Sequence, residues 1–283
     1  MPTPTCLLGG PGIEDRIAHG HDPDRFVEIG SLSKVFTGTV LAQLAKDEVV
    51  GLDTPLEECL DDVPAGTGIT LRHLAEHTSG LPRLPVGTGG PPGDPYATFT
   101  EDALRASLCE LDRVATGRLG EAEYSNLGYA VLGHALTAVT GRSYQQLVDE
   151  LVLLPLGLDA GAVTALTPQE RRLVPRGLFG RPRPLWTLTG PILPAGGLWS
   201  TCRTLSEVVP GLLVERRLGP PAPSWQHGSA ITWHNGATRG SSVMAAAHDD
   251  GRWLVLHRLG PASATDSLAR ETLLAAPAPD AGA

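Results

Sequence analysis

Two side chains three residues apart, Ser31 and Lys34, carry the clearest chemical signal in this 283-residue chain. They lie in Glu28-Ile29-Gly30-Ser31-Leu32-Ser33-Lys34-Val35-Phe36-Thr37-Gly38, where an extended segment meets a helix. Phe26, Val27 and Ile29 read as the end of a strand. Leu32, Val35, Phe36, Val40, Leu41 and Leu44 recur at helical spacing up to about Lys46. Ser31 therefore opens a helix, with the free N–H groups of the first turn and the positive end of the helix dipole beside it. Lys34 returns to the same helix face and can touch the Ser31 hydroxyl. A serine hydroxyl stays protonated at neutral pH and needs a base. A lysine buried at the inner end of a helix loses solvation, its pKa falls, and its neutral amine can accept that proton. The alternative for this pair is a helix N-cap followed by a solvated first-turn lysine. Composition favours the chemical reading: Lys34 and Lys46 are the only lysines among 22 cationic residues, and Asn126 and Asn235 are the only asparagines.

Two further stretches could meet that pair. In Tyr124-Ser125-Asn126, just before a helix, residues two apart project to one side of an extended chain, so Tyr124 and Asn126 can enter one cleft. A phenol beside an ammonium has its pKa lowered, so Tyr124 could share the Ser31 proton with Lys34 and later pass it to a leaving group. Asn126 would hold the lysine or a substrate carbonyl. Read alone, the stretch is a helix-capping loop in which Tyr124 is packing. In Trp233-His234-Asn235-Gly236-Ala237, strand alternation puts His234 and Gly236 on one face, where the missing side chain at Gly236 would let a substrate backbone lie against the strand. The N–H groups of Ser31 and Ala237 could then form an oxyanion hole, each worth on the order of 3 kcal/mol in the transition state. A hairpin turn at Asn235-Gly236 is the competing reading.

The elements that must position these residues follow from periodicity and punctuation. Residues 5 to 30 read as two short strands turning at Gly9 to Gly12. Thr70 caps a helix that stops at Thr78-Ser79-Gly80-Leu81-Pro82. Residues 83 to 96 form a Gly/Pro loop with no phosphate-binding signature. Helices are expected over 101–111, 127–139, 143–154, 204–215 and 264–275. Residues 171 to 184 read as an exposed connection, and 276 to 283 as a disordered tail. Strands are expected over 231–234, 241–247 and 253–259, the last two joined at Asp249-Asp250-Gly251. With strands at both chain ends and helices between, the order suits an α+β fold: an antiparallel sheet from about 1–50 and 195–275, flanked by helices, and an inserted helical lobe over about 51–194, all in one domain.

Composition limits the function classes. The chain is 41% apolar, enough for a large core. With a net charge of −9, nothing suggests a nucleic-acid or anionic-membrane surface, and the basic, Pro-rich residues 171 to 184 read as the exposed connection. No apolar run approaches a membrane span of ~20 residues, and the N-terminus lacks a signal-peptide pattern, so cytoplasmic residence is expected. Cys6, Cys59, Cys109 and Cys202 form no CxxC pair and read as free thiols. His73-Leu74-Ala75-Glu76-His77 matches a zinc-protease pattern, but the helix ends at once. His19 and His21 share a strand face without an evident third ligand. No metal or cofactor is expected.

Ser31-Leu32-Ser33-Lys34, Tyr124-Ser125-Asn126 and His234-Asn235-Gly236, in this order and at these separations, resemble the serine β-lactamase and penicillin-binding-protein superfamily, specifically its class C-like esterase branch. Residues 69–82, 124–144 and 193–201 support the resemblance, which covers roughly residues 5 to 275. It implies an antiparallel sheet beside a helical lobe, with acyl-enzyme chemistry in the cleft between them. Carried over by motif, Ser31 is the nucleophile, Lys34 and Tyr124 are general bases, Asn126 orients, and His234 with Gly236 forms the opposite wall. Penicillin-recognising members usually begin the third motif with lysine. A mostly neutral His234 there favours neutral esters, thioesters or amides over β-lactams or D-Ala-D-Ala peptides. The expected function is thus a serine hydrolase taking a small-molecule acyl substrate. Acyl transfer, β-lactamase or D,D-peptidase activity, and an inactive binding homologue are the alternatives. Compared with the family, the chain lacks the N-terminal helix and much of the segment between 216 and 230. That leaves an open cleft or one covered by a second subunit of a homo-oligomer.

Overall fold

The computed structural model describes residues 2–85 and 93–279; part of the expected 83–96 loop and the last four residues of the expected tail lie outside them. In chain order the strands are β1 (Thr5–Gly9), β2 (Arg16–Ala18), β3 (Val27–Glu28), β4 (Val163–Thr164), β5 (Trp199–Ser200), β6 (Gln226–Gly228), β7 (Ile231–Ala237), β8 (Ser242–His248) and β9 (Trp253–Arg258). The helices are α1 (Ser33–Lys46), α2 (Leu56–Cys59), α3 (Leu71–Ala75), α4 (Glu101–Cys109), α5 (Leu111–Val114), α6 (Asn126–Thr140), α7 (Tyr144–Val148), α8 (Leu193–Gly196), α9 (Cys202–Leu213) and α10 (Ala262–Ala275).

Six strands form one sheet in the order β2-β1-β9-β8-β7-β6, every pair antiparallel. Alternation sorts its side chains cleanly. Val243, Ala245 and Ala247 of β8 face the main core, while Met244 and Ala246 face a smaller core under α10 with Leu254, Leu256, Ala269 and Leu273. Helix α1 is buried on nearly every side, which is why its apolar residues do not confine themselves to one stripe. It packs against α6, α7 and α8. The mixed α/β architecture with antiparallel sheets agrees with the reading from sequence. So do the Thr70 cap of α3, which accepts the His73 N–H, and the end of α6 at Gly141.

Several elements differ from expectation. Strand β7 runs through Asn235 and Gly236 to Ala237, so no hairpin turn forms there. A second sheet, β3-β5-β4, pairs Val27 with Ser200 and Glu28 with Trp199; this fixes the segment before Ser31. Residues 171 to 184 are tied down at one end: Phe26 N–H donates to the Arg171 carbonyl and Leu173 N–H to the Phe26 carbonyl. His19 and His21 lie beyond the end of β2, and His21 is a buried residue in a turn, not a polar strand residue. Its neighbours are Cys6 and Cys202, from opposite ends of the chain. Cys59 is partly buried and Cys109 is exposed. Among the described residues no helix is long and apolar enough to cross a membrane.

Candidate active site

Ser31 sits in a 3-10 turn, Gly30–Leu32, that leads straight into α1. The turn passes so close to β7 that a Cβ at Gly30, whose φ is +50°, would lie 2.8 Å from the Ala237 nitrogen. Lys34, in the first turn of α1, is fully buried. Its Nζ lies 2.8 Å from Asn126 Oδ1, 2.5 Å from the Ala195 carbonyl and 3.3 Å from Ser31 Oγ. Burial pushes its pKa well below the ordinary lysine value, and the charge of Arg83 adds to the effect. A neutral amine has two N–H bonds and one lone pair. If the two shorter contacts take the N–H bonds, the lone pair is left toward the Ser31 hydroxyl.

Tyr124 donates to Ser31 Oγ at 2.6 Å. The expectation of a lowered phenol pKa fails, because burial pushes it up to about 12 and outweighs the bond to Ser31 and the charge of Arg83. The residue therefore rests as a neutral donor. Its ring is held from two sides: the His77 ring stacks at 4.4 Å between centroids, and the Arg83 guanidinium lies 5.0 Å from the ring centre. Asn126 accepts from Lys34 and donates through Nδ2 to Tyr96 Oη at 2.6 Å, so both ends of its amide are engaged.

The third motif meets the other two differently than alternation suggested. His234 is 1% exposed and bonds its own strand, Nδ1 to the Asn235 carbonyl at 2.7 Å. Burial and the charge of Lys34 lower its pKa to about 4. It lies beneath the site and is no wall of the cleft. Gly236 lines the cleft beside Ala237, but the space its missing side chain leaves is not open to a substrate. A Cβ there would lie 2.9 Å from the Leu32 nitrogen, 3.0 Å from the Ile29 carbonyl carbon and well inside contact of the Ile29 oxygen. The missing side chain lets β7 press against the turn that carries Ser31. Alternation names the side of a sheet, not what covers it.

Ala237 does line the cleft, with Gly30, Ser31 and Tyr124. The Thr238 N–H bonds to the Ser241 carbonyl, so in the antiparallel ladder the Ala237 N–H points away from β8. That is the edge β6 leaves uncovered beyond Gln226, its last partner being Trp233. The Ser31 and Ala237 amides thus belong to one cleft of about 620 Å³.

Four contributors escaped the sequence reading. The Ala195 carbonyl that binds Lys34 is main chain and leaves no mark in residue type. Arg83 and Tyr96 flank a Gly/Pro segment without periodicity. His77, considered only within its zinc-protease pattern, instead stacks on Tyr124 and accepts the Ser125 N–H at 3.0 Å. That pattern is not assembled: α3 ends at Ala75, and His73 Nδ1 faces Thr70.

The Beta-lactamase family model matches residues 12–272. The D-alanyl-D-alanine-carboxypeptidase/endopeptidase AmpH of Escherichia coli K12 is 36% identical over 157 residues, which are 53% of this chain but 40% of AmpH. The class C β-lactamase of Rhodobacter sphaeroides superposes with a TM-score of 0.75 at 18% identity, covering 96% of this chain and 94% of that one. The β-lactamase/D-alanine carboxypeptidase of Yersinia pestis gives 0.74 at 21% identity, with 96% and 92% covered. At such identities the superpositions speak for the fold. The chain belongs to the Beta-lactamase family, within the serine hydrolase superfamily of β-lactamases and penicillin-binding proteins.

Proposed function

We propose that the chain is a serine hydrolase that forms an acyl-enzyme on Ser31 from an ester, thioester or amide. One observation carries the reading: Ser31 Oγ receives the Tyr124 hydroxyl at 2.6 Å while the buried Lys34 amine stands 3.3 Å away with partners for both its N–H bonds. The Ser31 proton passes to Lys34 as Oγ attacks the acyl carbon. The Ser31 and Ala237 amides take up the oxyanion. Collapse breaks the bond to the leaving group, which takes the Tyr124 proton, and the Lys34 ammonium reprotonates the phenolate. Water, or another acceptor in a transfer reaction, then attacks the acyl-serine by the same route in reverse.

The cleft supports an apolar acyl group, with Leu84, Pro95, Trp186, Leu188 and Ile192 along it. A second reading has its own support. The neutral His234 motivated the preference for uncharged substrates, yet Arg83 brings a permanent cation to the cleft. Carboxylate-bearing acyl donors, such as the D-alanyl peptides in AmpH's name, are therefore candidates too. Intact-mass analysis after exposure to p-nitrophenyl esters, peptidyl thioesters and nitrocefin tests both readings. Adducts from the first two alone support the uncharged class, and a nitrocefin adduct supports the second. An added amine or alcohol that diverts product from acid to amide or ester marks an acyltransferase. No adduct from any of them, together with no fluorophosphonate labelling, would leave a binding homologue.

A further inference from the structure

On the main-core face of the sheet, among residues that do not line the cleft, Cys6, Cys202 and His21 bring one sulfur or nitrogen each to a common point, all within 4.8 Å of one another. Cys6 lies on β1, directly across from His257 on β9. Cys202 is the first residue of α9, the helix that packs on that face, and His21 comes from the turn after β2. Both cysteines are fully buried and His21 is 6% exposed.

The histidine is prepared as a ligand. Its Nε2 bonds His257 Nδ1 at 2.8 Å, and His257 Nε2 bonds Ser241 Oγ at 2.8 Å. If the Ser241 hydroxyl donates to the Glu28 carbonyl at 3.3 Å, it accepts from His257. In that order His257 Nε2 carries the proton, its Nδ1 accepts, and His21 Nε2 is the donor. That order leaves His21 Nδ1 as a bare lone pair. It is buried without a hydrogen bond of good geometry, although the Asp22 backbone also acts on the ring. A buried nitrogen lone pair without a partner is costly, and this ring lies beside two thiols. An imidazole whose second nitrogen is fixed by such a relay is the usual outer support of a metal-binding histidine.

We infer that Cys6, Cys202 and His21 Nδ1 bind one zinc ion. Two thiolates and a neutral imidazole around Zn²⁺ sum to no net charge, which suits a fully buried site. Cu⁺ in the same place would leave an unpaired negative charge there. Tetrahedral zinc with bonds of about 2.3 Å to sulfur and 2.0 Å to nitrogen sets ligand atoms about 3.5 to 3.8 Å apart, so no pair must close by more than about 1.3 Å. Three protein ligands leave the fourth position to water. Binding converts two thiols to thiolates and releases two protons per ion. The ion would pin the N-terminal strand and its turn to α9, and through His257, Ser241 and Glu28 it would brace the segment that leads to Ser31. This site is independent of the acyl chemistry.

The test uses the full-length reduced protein, freed of metal by chelation and titrated with Zn²⁺ and with Co²⁺. The expected result is one equivalent of zinc retained after desalting, about two protons released into weak buffer, and a Co²⁺ complex with thiolate charge-transfer absorption. His21→Gln and Cys202→Ser should lose retained zinc, while Cys59→Ser keeps it. The Co²⁺ spectrum of the unmutated chain decides the matter even where a variant fails to fold. Zinc retention no greater than that of Cys202→Ser, or a Co²⁺ spectrum without charge-transfer absorption, would overturn the inference.

Discussion

Replacing Gly236 by alanine separates two accounts of the third motif. If the glycine made room for a substrate, the new methyl group would weaken binding and leave the protein's stability alone. The structure assigns that space to the chain itself. The alanine Cβ would lie 3.0 Å from the Ile29 carbonyl carbon, 2.9 Å from the Leu32 nitrogen and closer still to the Ile29 oxygen. Comfortable contact between carbon atoms begins at about 3.5 Å, so β7 and the Gly30–Leu32 turn must part by at least ~0.5 Å, and by more at the oxygen. All three obstacles are backbone, with no side chain to swing aside. Overpacking of this kind costs about 1–3 kcal/mol. The turn carries Ser31 and the strand carries Ala237, so the two proposed oxyanion donors separate by the same amount. A misplacement near 1 Å costs on the order of 100-fold in rate. We expect Gly236→Ala to lower the fluorophosphonate labelling rate by roughly 10- to 100-fold and to lower the melting temperature. The assay is labelling followed by mass, beside thermal unfolding with and without inhibitor. An alanine variant with wild-type stability and labelling rate would refute the close packing of strand on turn.

The remaining predictions concern protons. Lys34→Ala and Tyr124→Phe should each slow acylation by at least ~100-fold, the scale of a lost proton-transfer group, and near-normal turnover by either would remove its role. The labelling rate should fall as acid protonates Lys34 and reach its plateau well below pH 10.5, because burial lowers that pKa. A rate still climbing tenfold per unit near pH 10 would mean an ordinary, solvated lysine. Stability should also fall with acid. His234 has a folded pKa of about 4 against 6.5 unfolded, so its contribution is complete above pH 6.5 and is lost as pH falls toward 4. Between pH 6.5 and 5 that amounts to about 2 kcal/mol at ~1.36 kcal/mol per unit. Glu28, raised to about 6 by burial, works in the opposite direction between pH 6 and 4.5. The comparison is therefore between the wild type and His234→Gln, whose loss from pH 7 to 5 in denaturant titrations should be smaller by about that amount. Equal losses would place His234 in solvent.

Residues whose role depends on local spacing were legible in the sequence. Ser31 and Lys34 share a helix face because of the turn length, Thr70 announced a helix start, and Gly141 announced an end. Strands β7, β8 and β9 declared themselves by alternation. Strand β3 was foreshadowed by Phe26, Val27 and Ile29, but its partners β4 and β5 have only two residues each, too few to show any period, so the small sheet that fixes the approach to Ser31 was invisible. The phenol of Tyr124 was misread for a different reason. A neighbouring cation can be guessed from sequence, but the burial that overrides it depends on His77, Arg83 and Tyr96 converging from separate loops. His234 and Gly236 were placed on one face correctly, yet that face turned out to be covered by the chain's own backbone. Cys6 and Cys202 lie at opposite ends of the sequence, and only the pairing of β1 with β9 beneath α9 brings them together.

The covalent step itself is open to one measurement. Rapid-quench mass spectrometry of the wild type with a p-nitrophenyl ester should show a single acyl group, and peptide mapping should place it on Ser31. Ser31→Ala, correctly folded by circular dichroism, should take up none. An acyl adduct of equal extent in that variant, or an adduct mapped to any other residue, would contradict the account.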